Sequence, residues 1–251
     1  MSEFLDFAEQ TVRKAAESVR DFRLSDKLHD KKDGDLVTSG DLEVEKEITG
    51  AIARHYPDHG FLSEEGTTGN PGADYQWILD PIDGTKHYVR EIPLYTISLA
   101  LRKNDELITG VVYSPQSEQM FRAEKDHGAE LNGRPIRCSS GVPVDKLIVC
   151  AEIPGGLFPE GGGKATIGKF HRLVQNVLRV RLLGTSSLTL CWTAMGGFDA
   201  YVNLGSGSKI WDIAAGLVVL KEAGAKITDD DGRIIAADPA IHDKLTELLE
   251  I

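Results

Sequence analysis

The N-terminal part of the chain carries apolar residues with the spacing of an amphipathic helix. Across residues 3–23 they fall on one helical face, at Phe4, Phe7, Ala8, Val12, Ala15 and Val19. The same spacing predicts a second helix from about Leu42 to Ile52, which ends before Pro57 because proline cannot continue a helix. We therefore expect the chain to begin with two helices.

Short apolar runs separated by turn residues follow, and they are typical of strands. These runs occupy residues 75–79, 95–101, 107–112 and 120–123. Lys103-Asn104-Asp105 would join the second and third runs as a hairpin, and Asn132-Gly133 marks a further turn. The first half of the chain thus predicts a mostly antiparallel sheet.

The second half alternates between strand and helix patterns. Predicted strands at 147–151, 180–183, 200–202 and 225–227 alternate with helices near 166–178, 187–196 and 212–223. An α+β half, residues 1–145, is thus followed by an α/β half, residues 146–251, in one domain spanning 1–251. Glycine-rich residues 154–163 are interpreted either as a surface loop without a functional role or as a loop near the entrance to the substrate site.

Composition and charge narrow the class of protein. No apolar run reaches the roughly 18 residues of a membrane span, and the N-terminus lacks a basic and apolar signal region. Three cysteines without metal-ligand spacing suit a reducing compartment, so we expect a cytoplasmic protein with no membrane partner. A net charge of −11, with 28 scattered Lys and Arg residues, argues against nonspecific nucleic-acid binding.

The segment Asp80-Pro81-Ile82-Asp83-Gly84-Thr85 is the most informative motif. Two carboxylates three positions apart follow an apolar strand, and the proline between them stiffens the backbone. Gly84 and Thr85 allow a turn whose N–H groups point at an anion. An ordinary surface turn is the alternative, since Asp-Gly marks many turns. Carboxylates beside N–H donors suit Mg²⁺ carrying a phosphate.

Two further acidic positions strengthen this interpretation. Glu64 and Glu65 follow the apolar pair Phe61-Leu62, and Asp212 heads a small-residue apolar segment. A solvated loop and a plain helix N-cap are the respective alternatives. Taken with the first motif, these acids predict a magnesium-dependent phosphatase.

Two signatures in this sequence resemble those of the inositol monophosphatase family. Trp77-Ile78-Leu79-Asp80-Pro81-Ile82-Asp83-Gly84-Thr85 is similar to the first, and Trp211-Asp212-Ile213-Ala214-Ala215-Gly216 to the second. Smaller matches run in the right order from residue 35 to residue 232. The resemblance implies a layered α-β-α-β-α sandwich of the inositol monophosphatase and fructose-1,6-bisphosphatase type. It also implies a lithium-sensitive phosphatase that forms a homodimer and acts on a small phosphorylated metabolite.

The resemblance also implies two or three Mg²⁺ ions and their ligands. Glu64, Asp80 and the Ile82 carbonyl would bind the first ion, and Asp80, Asp83 and Asp212 the second. Glu64 would also hold a third, weaker ion or its waters.

Roles for other residues follow from the same resemblance. Thr85, with Glu64, would orient the attacking water, with Asp41 behind Thr85, and the N–H groups of Gly84 and Thr85 would bind phosphate. A strip that lines the substrate in relatives matches Gly184, Thr185 and Ser186. No side-chain nucleophile stands out in the sequence, which favours direct attack by water.

The substrate depends on two departures from the inositol enzymes. Asn203 stands where those enzymes usually carry a glutamate that grips ring hydroxyls, and Lys86 replaces a more usual neutral residue. We expect inositol monophosphate or another small polyol or sugar phosphate, with relaxed specificity. Lys86 is either a surface lysine or a contact to a second anionic group. The latter would suit 3′-phosphoadenosine phosphate, histidinol phosphate or fructose 1,6-bisphosphate. A non-catalytic regulatory or assembly partner of the RNA machinery is the alternative class.

Overall fold

The computed structural model describes residues 2–20, 28–30, 36–66, 68–153, 162–205, 208–230 and 232–251. Residues 154–161 of the predicted glycine-rich loop, 154–163, lie outside this described part. Residues 21–23 of the first predicted helix lie outside it as well.

The first half of the chain contains the two predicted helices and a series of strands. Helix α1 (Glu3–Ala15) continues into a 3₁₀ turn, Ala16–Val19, and is followed by β1 (Leu28–Asp30), β2 (Leu36–Thr38) and α2 (Ser39–His55). Next come β3 (Gly60–Ser63), β4 (Tyr75–Asp83), the single turn α3 (Thr85–Tyr88), β5 (Thr96–Lys103), β6 (Glu106–Ser114), β7 (Gln119–Glu124), β8 (Gly128–Leu131) and β9 (Arg134–Ile136).

The second half alternates as predicted and then adds a strand and a helix. It contains β10 (Ile148–Glu152), α4 (Gly162–Asn176), β11 (Arg179–Arg181), α5 (Ser186–Ala194), β12 (Ala200–Asn203), α6 (Ile210–Glu222), β13 (Lys226–Asp230), β14 (Arg233–Ala237) and α7 (Pro239–Leu249). Among the helices described, none combines the length and the apolar character that crossing a membrane requires.

Two large sheets organise the described part of the chain. Seven strands form the first in the order β3-β4-β5-β6-β7-β8-β9, antiparallel except for the β3–β4 pair. Five strands form the second in the order β11-β10-β12-β14-β13, with β10 parallel to both of its neighbours. Strands β1 and β2 pair separately.

Helices cover these sheets in layers. Helices α1 and α2 pack on one face of the seven-stranded sheet, and α5 and α6 lie between the two sheets. Helices α4 and α7 cover the outer face of the five-stranded sheet. Alternation along β4 explains this order, because Leu79 faces α1 and α2 whereas Ile78 faces α5 and α6. The predicted α-β-α-β-α sandwich is confirmed.

Helix α6 lies unusually close to the seven-stranded sheet. A Cβ atom placed on Gly110, in β6, would stand 2.4 Å from the carbonyl oxygen of Ala215 in α6. Only glycine fits such an approach, so the helix backbone rests directly on the strand backbone. This contact helps set the height of Asp212, in the first turn of α6, above the sheet.

Candidate active site

The first signature continues strand β4 rather than following it. Asp80 pairs with Ser98 and Asp83 with Thr96. Strand β4 therefore has one more residue than β5 between these two pairs, which makes a β-bulge. This bulge accommodates Pro81, which has no N–H to donate to the ladder. Asp80 is 1% exposed and Asp83 9%, so the alternative of an ordinary surface turn is wrong.

Asp80 lies at the centre of a group of acidic side chains. Burial raises the pKa of its carboxyl well above the usual range, and the negative charges of Glu64, Asp83 and Asp212 raise it further. Its Oδ1 atom is buried and accepts no hydrogen bond within the described part of the chain. A buried carboxylate oxygen without a donor is the environment that a cation would satisfy.

Glu64 reaches this group because β3 runs parallel to β4. Ser63 pairs with Leu79, and the Glu64 backbone N–H donates to the Leu79 carbonyl at 3.2 Å. Glu64 therefore follows the last residue of β3, beside the carboxyl end of β4. The segment that the alternative interpretation took for a solvated loop is thus anchored, at Glu64, to the strand that carries Asp80.

Asp83 is held by the N-terminus of helix α5. Its Oδ2 atom accepts hydrogen bonds from the Ser187 N–H at 2.8 Å and the Ser187 hydroxyl at 2.5 Å. Burial raises the pKa of Asp83 well above its usual range and the charge of Asp212 adds to this effect, while the two Ser187 bonds oppose it.

Asp212 occupies the third position of α6 rather than the N-cap position. Its Oδ2 atom accepts a hydrogen bond from the Lys209 backbone N–H at 2.8 Å, which closes the first turn of the helix. The plain N-cap alternative is therefore wrong, since Lys209 is the N-cap, and the charge of Asp212 also raises the pKa of Asp80 and Asp83.

Gly84 turns the chain immediately after Asp83. Its φ angle is +97°, and an added Cβ would lie 2.6 Å from the Leu94 carbonyl oxygen. Thr85 then opens the short helical turn α3, and its hydroxyl donates to the Ile82 carbonyl at 2.9 Å. A carbonyl has two lone pairs, so Ile82 can accept this bond and still serve a cation.

Asp41 is fully buried in the first turn of α2. Its Oδ2 atom accepts from the Thr38 N–H at 2.8 Å and from the Thr38 hydroxyl at 2.5 Å, whereas its Oδ1 atom is buried and has no partner among the described residues. Burial raises its pKa to about 7 against the lowering effect of the Thr38 bonds, and the charges of Glu65 and Glu64 add to the rise. Asp41 is therefore near the acidic group, while its support of Thr85 stays a prediction.

The predicted substrate strip leads into α5, whose first residue is Ser186. Thr185 is buried, and its hydroxyl is within hydrogen-bond distance of the Leu94 carbonyl, at 3.0 Å, and of His87 Nδ1, at 3.2 Å. The backbone amide of Gly184 is near enough to the Glu152 carboxylate to lower its pKa. The strip is thus bonded to the turn after the first signature and lies near the end of strand β10.

Glu152 is a site residue that the motifs do not identify. Burial raises its pKa to about 7, the nearby Gly184 backbone amide opposes the rise, and the charge of Asp212 adds to it. The sequence did contain a signal for Glu152, namely an acidic residue directly after an apolar strand segment. The strand Ile148–Glu152 shows this pattern, as does the part of β4 that leads to Asp80.

The two residues expected to decide the substrate have different environments. Asn203 is 2% exposed, its Oδ1 atom accepts from the Gly205 N–H at 3.0 Å, and its Nδ2 donates to the Ser208 hydroxyl at 2.7 Å. Lys86 is exposed on the turn α3. Substrate contacts by either residue stay predictions.

The acidic group is not arranged as a finished metal site. As they stand, no three His, Cys, Asp or Glu side chains of the described ranges already form a complete ligand cluster. Carboxylates without a counter-ion repel one another, and they are expected to turn inward around a cation. The all-oxygen donor set and the unsatisfied Oδ1 of Asp80 fit Mg²⁺.

Comparisons with known proteins agree with this geometry. A model of the inositol monophosphatase family matches residues 1–250. An inositol-1-monophosphatase of Caulobacter vibrioides is 32% identical over 96% of this chain and 98% of its own length. The Nus factor SuhB of Haemophilus influenzae is 32% identical over 94% and 92%.

A solved structure extends the similarity to the fold. The extragenic suppressor protein suhB from Bartonella henselae superposes with a TM-score of 0.91 at 28% identity, covering 99% of both chains. These matches confirm the predicted enzyme class of phosphoric monoester hydrolase. The chain therefore belongs to the inositol monophosphatase family.

Proposed function

We propose that this protein is a Mg²⁺-dependent phosphomonoesterase that hydrolyses a small polyol or sugar phosphate, with inositol monophosphate as the leading candidate. The observation that carries the proposal is that the charges of Glu64, Asp83 and Asp212 converge on Asp80, whose buried Oδ1 atom has no hydrogen-bond partner among the described residues. Members of the family generally depend on Mg²⁺.

The residues that would hold the metal are those predicted from the sequence. Glu64, Asp80 and the Ile82 carbonyl would bind one ion, Asp80, Asp83 and Asp212 a second, and Glu64 a weaker third. Bound Mg²⁺ lowers the pKa of water and neutralises charge on the phosphate and the leaving oxygen. In a chain of net charge −11, a cation is also needed to attract an anionic ester.

The residues of the chain position the reactants. The N–H groups of Gly84 and Thr85 bind phosphate, since the first N–H groups of a helical turn have no acceptor within it. The Thr85 hydroxyl and the Glu64 carboxylate orient a water molecule in line with the ester bond. Attack by that water on phosphorus breaks the ester P–O bond and releases inorganic phosphate and an alcohol.

The substrate strip would bind the alcohol part of the ester. Gly184, Thr185 and Ser186 lie between the phosphate turn and strand β10, which suits contact with a compact polyol. If Lys86 instead holds a second anionic group, the substrate belongs to the bisphosphate or histidinol phosphate type. Lys86→Ala distinguishes these cases, because only the second predicts a selective fall in kcat/KM for those substrates.

Self-association is also proposed, as a homodimer in the cytoplasm. Helix α4 exposes Ile167 and Val174, 49% and 48% exposed, and Leu178 beyond its end is 42% exposed. Positions seven residues apart share one helical face, so Ile167 and Val174 form an apolar stripe on α4 that a second copy would cover.

A panel of phosphate esters assayed with and without Mg²⁺ tests the proposal. We expect hydrolysis of inositol monophosphate and related polyol phosphates that a chelator abolishes. The name of the Haemophilus relative, Nus factor SuhB, raises a regulatory role as the second candidate. A folded protein that binds Mg²⁺ but hydrolyses no ester would favour that role.

A further inference from the structure

Glu152 is a carboxylate to which the reaction described above gives no role. It ends strand β10, and its Oε1 atom is shielded from solvent without any hydrogen-bond partner in the described part of the chain. The backbone amide of Gly184 is near enough to this carboxylate to lower its pKa. An unsatisfied carboxylate oxygen in such a place is costly unless a ligand supplies a donor.

The position of Glu152 associates it with the alcohol end of the site. The Gly184 amide, which belongs to the proposed substrate strip, lowers the pKa of Glu152, and the charge of Asp212 is close enough to raise it. Glu152 also pairs in register with Asn203 on the adjacent parallel strand β12. The carboxylate therefore lies among the groups proposed to contact the alcohol and the metal.

Asn203, the residue expected to grip substrate hydroxyls, already has other partners. Its amide oxygen and nitrogen bond Gly205 and Ser208, in the segment that leads to helix α6. Asn203 thus supports the chain that positions Asp212. The adjacent Glu152 offers what Asn203 lacks, a carboxyl oxygen that has no hydrogen-bond partner among the described residues.

We infer that Glu152 accepts hydrogen bonds from a hydroxyl of the alcohol part of the substrate and so selects polyol monophosphates. This inference rests on the proposed function. A charged acceptor binds hydroxyls more strongly than a neutral amide does. The same negative charge opposes a second phosphate at this position, so Glu152 also discriminates against bisphosphates.

The test compares two esters on the Glu152→Gln variant. Inositol 1-phosphate has hydroxyls beside the ester, whereas p-nitrophenyl phosphate has none. We expect kcat/KM for the inositol ester to fall by about tenfold or more, with a change within about twofold for the aryl ester. The Mg²⁺ concentration for half-maximal activity should stay the same, and Glu152→Asp should retain part of the preference.

Glu106→Gln is the matched control, since Glu106 is exposed and forms an ion pair with Lys125. It lies opposite Lys103, at the end of β5 that is far from Thr96. Thermal unfolding of each variant establishes that it is folded. An equal loss on both esters with a raised Mg²⁺ requirement would overturn the inference in favour of a metal role. An unchanged ranking of active substrates overturns the inference alone, whereas wild-type protein that hydrolyses no ester overturns the proposed function as well.

Discussion

Asp83 and Ser187 are joined by two hydrogen bonds, from the Ser187 N–H at 2.8 Å and from its hydroxyl at 2.5 Å. The two residues are 104 positions apart in the chain. The Ser187 hydroxyl is in turn 2.5 Å from the hydroxyl of Thr96 on β5. One oxygen of Asp83 is thereby oriented by the protein, which leaves the other for a cation.

Replacing Asp83 separates a catalytic role from a structural one. We expect Asp83→Asn to lower kcat by several orders of magnitude, because it removes charge that faces the metal and the transition state. Thermal stability of the metal-free protein should be unchanged or higher, since the variant removes the cost of burying a charge and the repulsion from Asp212. Calorimetry in chelator, beside a steady-state assay, measures both.

Asp145→Asn, at an exposed position, is the control for this comparison. A large loss of metal-free stability with near-normal activity would assign Asp83 to the fold instead of the reaction.

Activity should depend strictly on the metal. We expect a chelator to abolish hydrolysis and added Mg²⁺ to restore it, because the acidic group repels an anionic ester in the absence of a cation. Titration calorimetry should show Mg²⁺ binding that Asp80→Asn weakens. Robust turnover in metal-free buffer would contradict the assignment of Glu64, Asp80, Asp83 and Asp212.

Asp41 gives the metal-free protein a defined dependence on pH. Its pKa is raised from 3.8 to about 7, so the folded state retains a proton that the unfolded chain loses. The raised pKa of Asp41 adds on the order of a few kcal/mol to the free energy of unfolding. This stabilisation is complete below the unfolded pKa of 3.8 and is lost as pH rises to the folded pKa of about 7.

Asp41→Asn tests this dependence, since an amide still accepts from Thr38 and does not titrate. Denaturant unfolding in chelator between pH 5 and pH 7.5 should give a flatter profile for the variant than for wild type. A residual slope of the same sign is expected from Asp80 and Asp83. Parallel profiles for the two proteins would contradict the raised pKa of Asp41.

Asn203 should contribute to stability, because its amide is already bonded within the protein. We expect Asn203→Ala to reduce the free energy of unfolding by about 1–3 kcal/mol, because it removes the bonds to Gly205 and Ser208. Ser208→Ala removes only one of them and should cost less. A changed ranking of phosphate esters at unaltered stability would return Asn203 to the substrate site.

The apolar stripe of α4 predicts the oligomeric state. Light scattering should give twice the 27.4 kDa mass of the chain. Val174→Lys places a charge within the stripe and should shift the protein toward monomer, whereas Gln175→Lys, one residue along, should not. A monomer mass for wild-type protein at working concentration would refute the homodimer.

The sequence predicts most elements whose pattern repeats along the chain. Strands that bury one face alternate, and helices with one apolar face show the helical period, so local spacing suffices for them. Strand β14 is buried on both faces, with Ile234 in one core and Ile235 in another, and its pattern therefore does not alternate. Helix α7 carried a usable signal, because Asp238 caps it and Pro239 opens it.

The candidate site was predictable where acids follow a recognisable motif. Asp80, Asp83 and Asp212 belong to the two signatures, whereas Glu152 becomes important only because β10 lies beside β12. Contacts between distant segments decide such cases, and local spacing does not contain them. Asn203 shows the converse, since its position in the motif does not reveal that its amide is already bonded.

The backbone contact between Gly110 and Ala215 limits how this chain can be recombined with its relatives. In a chimera joined near residue 145, strand β6 would come from one parent and helix α6 from the other. A side chain at position 110, supplied by one parent, would push helix α6 away from the sheet and move Asp212 away from Asp80. Functional crossovers should therefore be those in which β6 and α6 are inherited together or both parents have glycine there.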